Sequence, residues 1–178
     1  MPQNPIDLTG QWEGHYQQHD VKYPIRATLE QHGDRLTGTM QDGVTEFTRS
    51  VFDAALLAGL PPGADEQIEE QLRRLHPDIG NAPIRSKSRL PSESALEGTS
   101  HEDSVYLVKT YQGECFGGFE VKGKEVGWTK EQHAVEYRGR IEGGGVRIIG
   151  FWTIPRSGSA GGVQQGEFLL KRAQATRS

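Results

Sequence analysis

The sequence predicts an all-β fold: an eight-stranded antiparallel up-and-down β-barrel with a helical insertion between its third and fourth strands. Period-2 alternation of apolar and polar residues recurs in eight segments. Six of the eight place a glycine on the face that carries the large apolar side chains. Tight and long connections alternate along the chain, which puts every tight turn but one at the same end of an up-and-down barrel.

The eight segments are residues 11–18, 21–31, 35–41, 94–100, 105–111, 133–142, 146–154 and 164–172. The first reads Trp12, Gly14, Tyr16 on one face and Gln11, Glu13, His15 on the other. The third gives Leu36, Gly38, Met40 and the fourth Leu96, Gly98, Ser100. The sixth gives Val135, Tyr137, Gly139, Ile141, and the seventh Val146, Ile148, Gly150, Trp152, Ile154. The last gives Gly166, Phe168, Leu170, and residues 173–178 read as a disordered tail. Between residues 43 and 93 the texture changes. Residues 50–60 and 64–75 are helical in composition, and Ile68, Leu72 and Leu75 make a narrow stripe at helical spacing. "LPPG" (Leu60 to Gly63) separates the two helices, and "HPDIGNAP" (His76 to Pro83) ends the second. This insertion is too short for a core of its own, so residues 1–178 form a single domain.

Glycine within a strand is unfavourable, so a repeated inward glycine needs a cause. Closing a sheet into a narrow barrel supplies one, because strongly coiled strands must bend and large neighbours such as Trp12 and Trp152 need room. A flat sandwich supplies none, although some of the glycines are also compatible with simple bulges. The turns His32–Asp34, His101–Ser104 and Gly143–Gly145 fall at one end, the floor. The three long connections and the short turn near Asp20 fall at the other, the mouth.

Composition narrows the function classes. The net charge is −4 and no dense run of lysine or arginine occurs, which argues against nucleic-acid binding. No apolar stretch is long enough to span a bilayer, and no signal-like segment follows Met1, so a cytoplasmic location without membrane contact is expected. Cys115 is the one cysteine, which excludes an intrachain disulfide. The histidines show no convergent ligand spacing, so no metal site and no cofactor are expected.

"GQW" (Gly10 to Trp12) resembles the G-x-W that opens the first strand of lipocalins and fatty-acid-binding proteins, and "LTG" followed by Trp12 resembles the start of avidins. The resemblance is to the calycin superfamily. It implies a tryptophan on the barrel floor, often beneath an arginine of the last strand, the position held here by Arg172. It covers the strands and not the insertion. The biotin-contacting set of avidins is absent, and the insertion is not where fatty-acid-binding proteins carry their helices. "YPI" (Tyr23 to Ile25) is similar to a motif of haem-binding nitrobindins without the rest of that pattern.

An eight-stranded barrel is either filled by side chains or holds one small ligand. Residues near the mouth are polar and aromatic: Tyr16, Gln18, Tyr23, Ile25, Met40, Asp42, Lys109, Tyr111, His133, Val135, Tyr137, Trp152 and Ile154. Those near the floor are apolar: Trp12, Leu29, Leu36, Leu96, Val105, Ile141, Val146, Ile148 and Leu170. The expected ligand is therefore a small amphiphilic or anionic molecule at the mouth. Lys109, on an apolar face, is either an anion-binding or polarising ammonium near a ligand, or a residue that pairs with Asp42 or extends its amine to water at the rim. His133 is either an acid–base group or a solvent-facing residue at a strand start. Two other readings stay open: an enzyme using His133 or Lys109 as acid or base, and a filled barrel serving as an interaction module. Ile149, Phe151 and Leu169 point outward on adjacent strands, a patch that either the insertion or a second copy in a homodimer would cover.

Overall fold

The computed structural model describes residues 6–131, 134–155 and 164–174. In chain order its strands are β1 (Gly10–Gln18), β2 (Val21–His32), β3 (Arg35–Asp42), β4 (Glu46–Ser50), β5 (Arg85–Arg89), β6 (Glu93–His101), β7 (Ser104–Tyr111), β8 (Cys115–Val121), β9 (Lys124–Glu131), β10 (Ala134–Glu142), β11 (Arg147–Ile154) and β12 (Gln164–Arg172). Two helices, α1 (Val51–Leu57) and α2 (Ala64–Leu75), lie between β4 and β5.

Eight strands close into an antiparallel barrel in the circular order β1-β2-β3-β6-β7-β10-β11-β12, with β1 paired to both β2 and β12. These are the eight segments that alternation marks out. Val146 departs from expectation: it sits in the β10–β11 turn and is exposed rather than facing the interior. Three consecutive glycines at positive φ (Gly143, Gly144, Gly145) carry the chain round before β11 begins at Arg147, so the inward alternation starts only at Ile148. The predicted tail, 173–178, lies outside the described residues from residue 175 onward.

The inward glycines mark where neighbouring backbones touch. A Cβ at Gly14 would lie 1.8 Å from the Leu169 carbonyl oxygen, and one at Gly98 would lie 1.9 Å from that of Tyr106. Gly38, Gly150 and Gly166 stand equally close to the carbonyls of Thr28, Arg138 and Gln17. At Gly139 the crowding is partly by side chains, Ile148 and Phe168. The cause is thus close backbone approach in coiled strands, and a side chain at these points would push the sheet open.

The floor is closed by the segment before β1. Leu8 and Trp12 are fully buried, and the Trp12 indole N–H donates to the Leu8 carbonyl at 3.0 Å. Gln31 accepts from the Leu8 amide. Arg172 lies 4.8 Å from the Trp12 ring centroid and donates to the carbonyls of Asp7, Thr9 and Gly145. One guanidinium therefore satisfies three carbonyls that have no strand partner. It also shields the indole face.

The insertion is more than helical. Both helices form where composition places them, α1 capped by Ser50, whose hydroxyl accepts from the Asp53 amide. Around them, β4 and β5 pair with each other and then with the β8–β9 hairpin in a four-stranded sheet, order β4-β5-β8-β9. That hairpin falls in the stretch read as irregular between residues 111 and 133. The miss has a local cause. "EFTRS" and "RSKSR" are short and polar, and a register shift between Gly117 and Phe119 breaks the period in β8. The added strands supply the core that the insertion alone lacks: Val51, Leu72, Ile79, Ile84, Val121 and Val126 form a second buried cluster. Leu75, at the end of the predicted stripe, remains exposed. We call this sheet and its helices the cap.

On the outside of the barrel Ile149 and Leu169 are direct cross-strand neighbours, and Phe151 beside them is 61% exposed. The cap does not reach Phe151.

Two measurements test this architecture. Gly98→Ala is expected to lower stability by about 1–3 kcal/mol, the range for an overpacked interior, read as a fall in the denaturant midpoint. An unchanged midpoint would place β6 and β7 farther apart than described. Hydrogen exchange is expected to show β8–β9 opening together with α1, α2, β4 and β5, before the barrel strands, because these elements share one small core. Exchange of β8–β9 in step with the barrel would contradict a cap that folds as a unit.

Candidate functional site

Where the cap meets the barrel mouth the two enclose a chamber of about 550 Å³. The barrel contributes Tyr16, Gln18, Lys109, Tyr111, Val135, Tyr137, Trp152 and Ile154. From the cap come Phe47 and Arg49 of β4, Ser86 and Ser88 of β5, and Ala54, Leu57 and Ala58 at the end of α1, and Leu90, Pro155 and Gln164 complete the wall. Two contacts hold cap to rim. Tyr23 stacks on Tyr16 at 5.1 Å and meets Phe47 edge-on at 5.4 Å, and Arg49 donates to the Gln18 side-chain oxygen at 3.2 Å.

The bottom of the chamber is an ion pair. Lys109 Nζ donates to both carboxylate oxygens of Asp42, at 2.7 and 2.6 Å, and to the Tyr111 hydroxyl at 3.3 Å. Both side chains are almost wholly buried. Alternation puts them there: Lys109 is the third inward residue of β7, after Val105 and Leu107, and Asp42 is the last of β3. Of the two roles open to Lys109, the structure has the partner of Asp42. Burial pushes the Asp42 carboxyl up and the Lys109 amine down from their ordinary values, against a mutual attraction that works the other way. The same burial, with the Asp42 charge nearby, drives the phenols of Tyr16, Tyr111 and Tyr137 well above the ordinary tyrosine value. All three therefore remain neutral hydroxyls at physiological pH.

Below the pair the barrel is filled. Trp12, Leu29, Leu36, Met40, Leu96, Leu107, Ile148 and Leu170 are fully or almost fully buried in one cluster that occupies the lower interior. The space for an apolar portion of a ligand in the floor half is taken by side chains.

Of the residues that sequence places at the mouth, Tyr16, Lys109, Tyr111, Tyr137 and Trp152 line the chamber together. Asp42 lies just beneath and Tyr23 behind Tyr16. Ile25 and Met40 belong to the packed core and not to the chamber wall. His133 lies outside the described residues. Missed altogether are Phe47, Arg49, Ser86, Ser88 and the α1 residues. Their only local signal is the alternation of Phe47 with Arg49 and of Ser86 with Ser88, too short to mark a strand. Among the described residues no cluster of three or more His, Cys, Asp or Glu side chains could hold a metal ion, and no helix is long and apolar enough to cross a membrane.

Compared with known proteins, the chain matches no family model, no curated protein and no solved structure.

The pair itself is testable. Asp42→Asn leaves a buried ammonium without its counter-charge and is expected to cost about 3–5 kcal/mol. Lys109→Met added to an apolar replacement, Asp42→Leu, is expected to recover most of that loss, since an apolar pair of similar volume removes both desolvation penalties. A double variant that loses as much as the Lys109→Met and Asp42→Leu single variants added together, measured in denaturant, would show that the two side chains are not coupled.

Proposed function

We propose that this protein is a small-molecule-binding barrel of calycin type whose ligand occupies the chamber between mouth and cap. The observation that carries the reading is the chamber: about 550 Å³, within the range of ordinary ligand sites, half open, and walled by aromatic and polar side chains together. Trp12 under Arg172 on the floor supports the calycin comparison, since that arrangement is what the resemblance implies. The filled lower barrel and the ion pair above it favour a compact ligand over a long-chain one.

The geometry supports binding more than catalysis. Lys109, the described candidate for acid–base work, is held by two hydrogen bonds to Asp42, which suits a rigid chamber floor.

Native mass spectrometry of the purified protein tests the reading. The wild type is expected to carry a ligand mass that is lost on denaturation. Ser88→Trp, which places an indole in the chamber, is expected to lose that mass under native conditions. A ligand mass retained equally by both proteins would put the site elsewhere, and a wild type that carries none even after exposure to cell extract would count against a binding role.

A further inference from the structure

The chamber has a charge that its floor does not explain. No aspartate or glutamate lines it among the described residues. Lys109 reaches it, but Asp42 cancels that charge at 2.6 Å. Arg49 is different. It projects from the cap into the chamber, half-buried, and its described partners are a neutral amide oxygen of Gln18 and the face of Phe47, 4.6 Å from the ring centroid. No described carboxylate lies within ion-pair distance of it. Among the described residues that line this partly enclosed space, Arg49 thus carries the one charge without an ionic partner.

Hydrogen-bond donors stand beside that guanidinium. Ser86 is the direct cross-strand neighbour of Arg49, and Ser88 that of Phe47. Such neighbours bring their side chains within about 5 Å of each other. Both serines line the chamber, and so does Tyr16, whose phenol is kept protonated and so can donate. Aromatic side chains line the chamber too: Trp152, itself almost buried, meets Tyr16 edge-on at 5.8 Å, and Tyr111 and Tyr137 are among the lining residues. Aromatic rings pack against one another in such offset and edge-on arrangements.

We infer that the chamber takes a small planar aromatic molecule bearing a single acidic group, the ring against Tyr16 and Trp152 and the acidic group on Arg49 with Ser86. A guanidinium recognises an oxyanion through two parallel hydrogen bonds to two of its oxygens, and its single charge matches one negative charge. Carboxylate and sulfonate share this chemistry. The anchor thus belongs to the cap and not to Lys109. This inference rests on the ligand-binding reading above.

Two fluorescent probes separate the inference from that reading: anilinonaphthalenesulfonate and the uncharged phenylnaphthylamine, which shares its ring system and lacks the sulfonate. Wild type is expected to bind the sulfonate more tightly than the neutral dye. Arg49→Gln is expected to weaken the sulfonate by at least about tenfold, since the charge and the paired donors are lost together, and to leave the neutral dye unchanged, which also reports that the chamber is intact. Arg49→Lys keeps the charge and is expected to keep the preference for the sulfonate. Ser88→Trp is expected to abolish both. If Arg49→Gln binds the sulfonate as wild type does while Ser88→Trp blocks both dyes, the chamber stands and the anionic ligand class is overturned. If neither dye responds to Ser88→Trp, the binding reading itself falls.

Discussion

Close backbone approach is the constraint from which the architecture follows. Eight strands can close round so small an interior only if some of them coil until a neighbour's carbonyl stands where a Cβ would be. Gly14, Gly38, Gly98, Gly150 and Gly166 are the points where this happens. The consequence is a narrow interior that a single layer of large side chains fills. Trp12, Leu107, Ile148 and Leu170 are among the side chains packed in the lower half. The space that remains among the described residues is at the mouth.

The Lys109–Asp42 pair draws the line between the two halves. Burying two charges is costly, and apolar residues of similar volume would often hold a core as well or better. What the pair adds is position. Two strands that are not neighbours in the sheet, β3 and β7, with β6 between them, are tied across the interior at one height. Tyr111 is tied to the same ammonium, so part of the aromatic wall above is set by the ion pair below. The ion pair and Tyr111 are thus one hydrogen-bonded unit, and stability and the position of that ring are linked through it.

The cap brings the second half of the site from distant parts of the chain. Its sheet joins β4 and β5 of the insertion to β8 and β9 of the next mouth connection, so neither segment is complete alone. This places Ser86 above the mouth on β5, which is paired on both sides, and Arg49 beside it on the edge strand β4, which pairs with β5 alone. The cap has the smaller buried cluster and the barrel beneath it the larger one, so on the proposed reading the element with the smaller core covers the site.

Alternation, inward glycines and connection lengths were enough to determine the barrel, its strand order and which end is the mouth, because each is a local signal with a period of two or a turn chemistry of its own. They also brought Tyr16, Lys109, Tyr111, Tyr137 and Trp152 to that end. The place of Ile25 and Met40, inward and near the mouth yet sealed in the core, depends on how deeply neighbouring side chains pack, which no single strand records. The cap sheet was decided only in three dimensions. "EFTRS" and "RSKSR" carry no apolar alternation, and they become strands by pairing with each other, the second also with β8 on its far side. Arg49 acquires its place in the chamber by that pairing, and a residue whose strand exists only through distant partners leaves no mark of its position in its own neighbourhood.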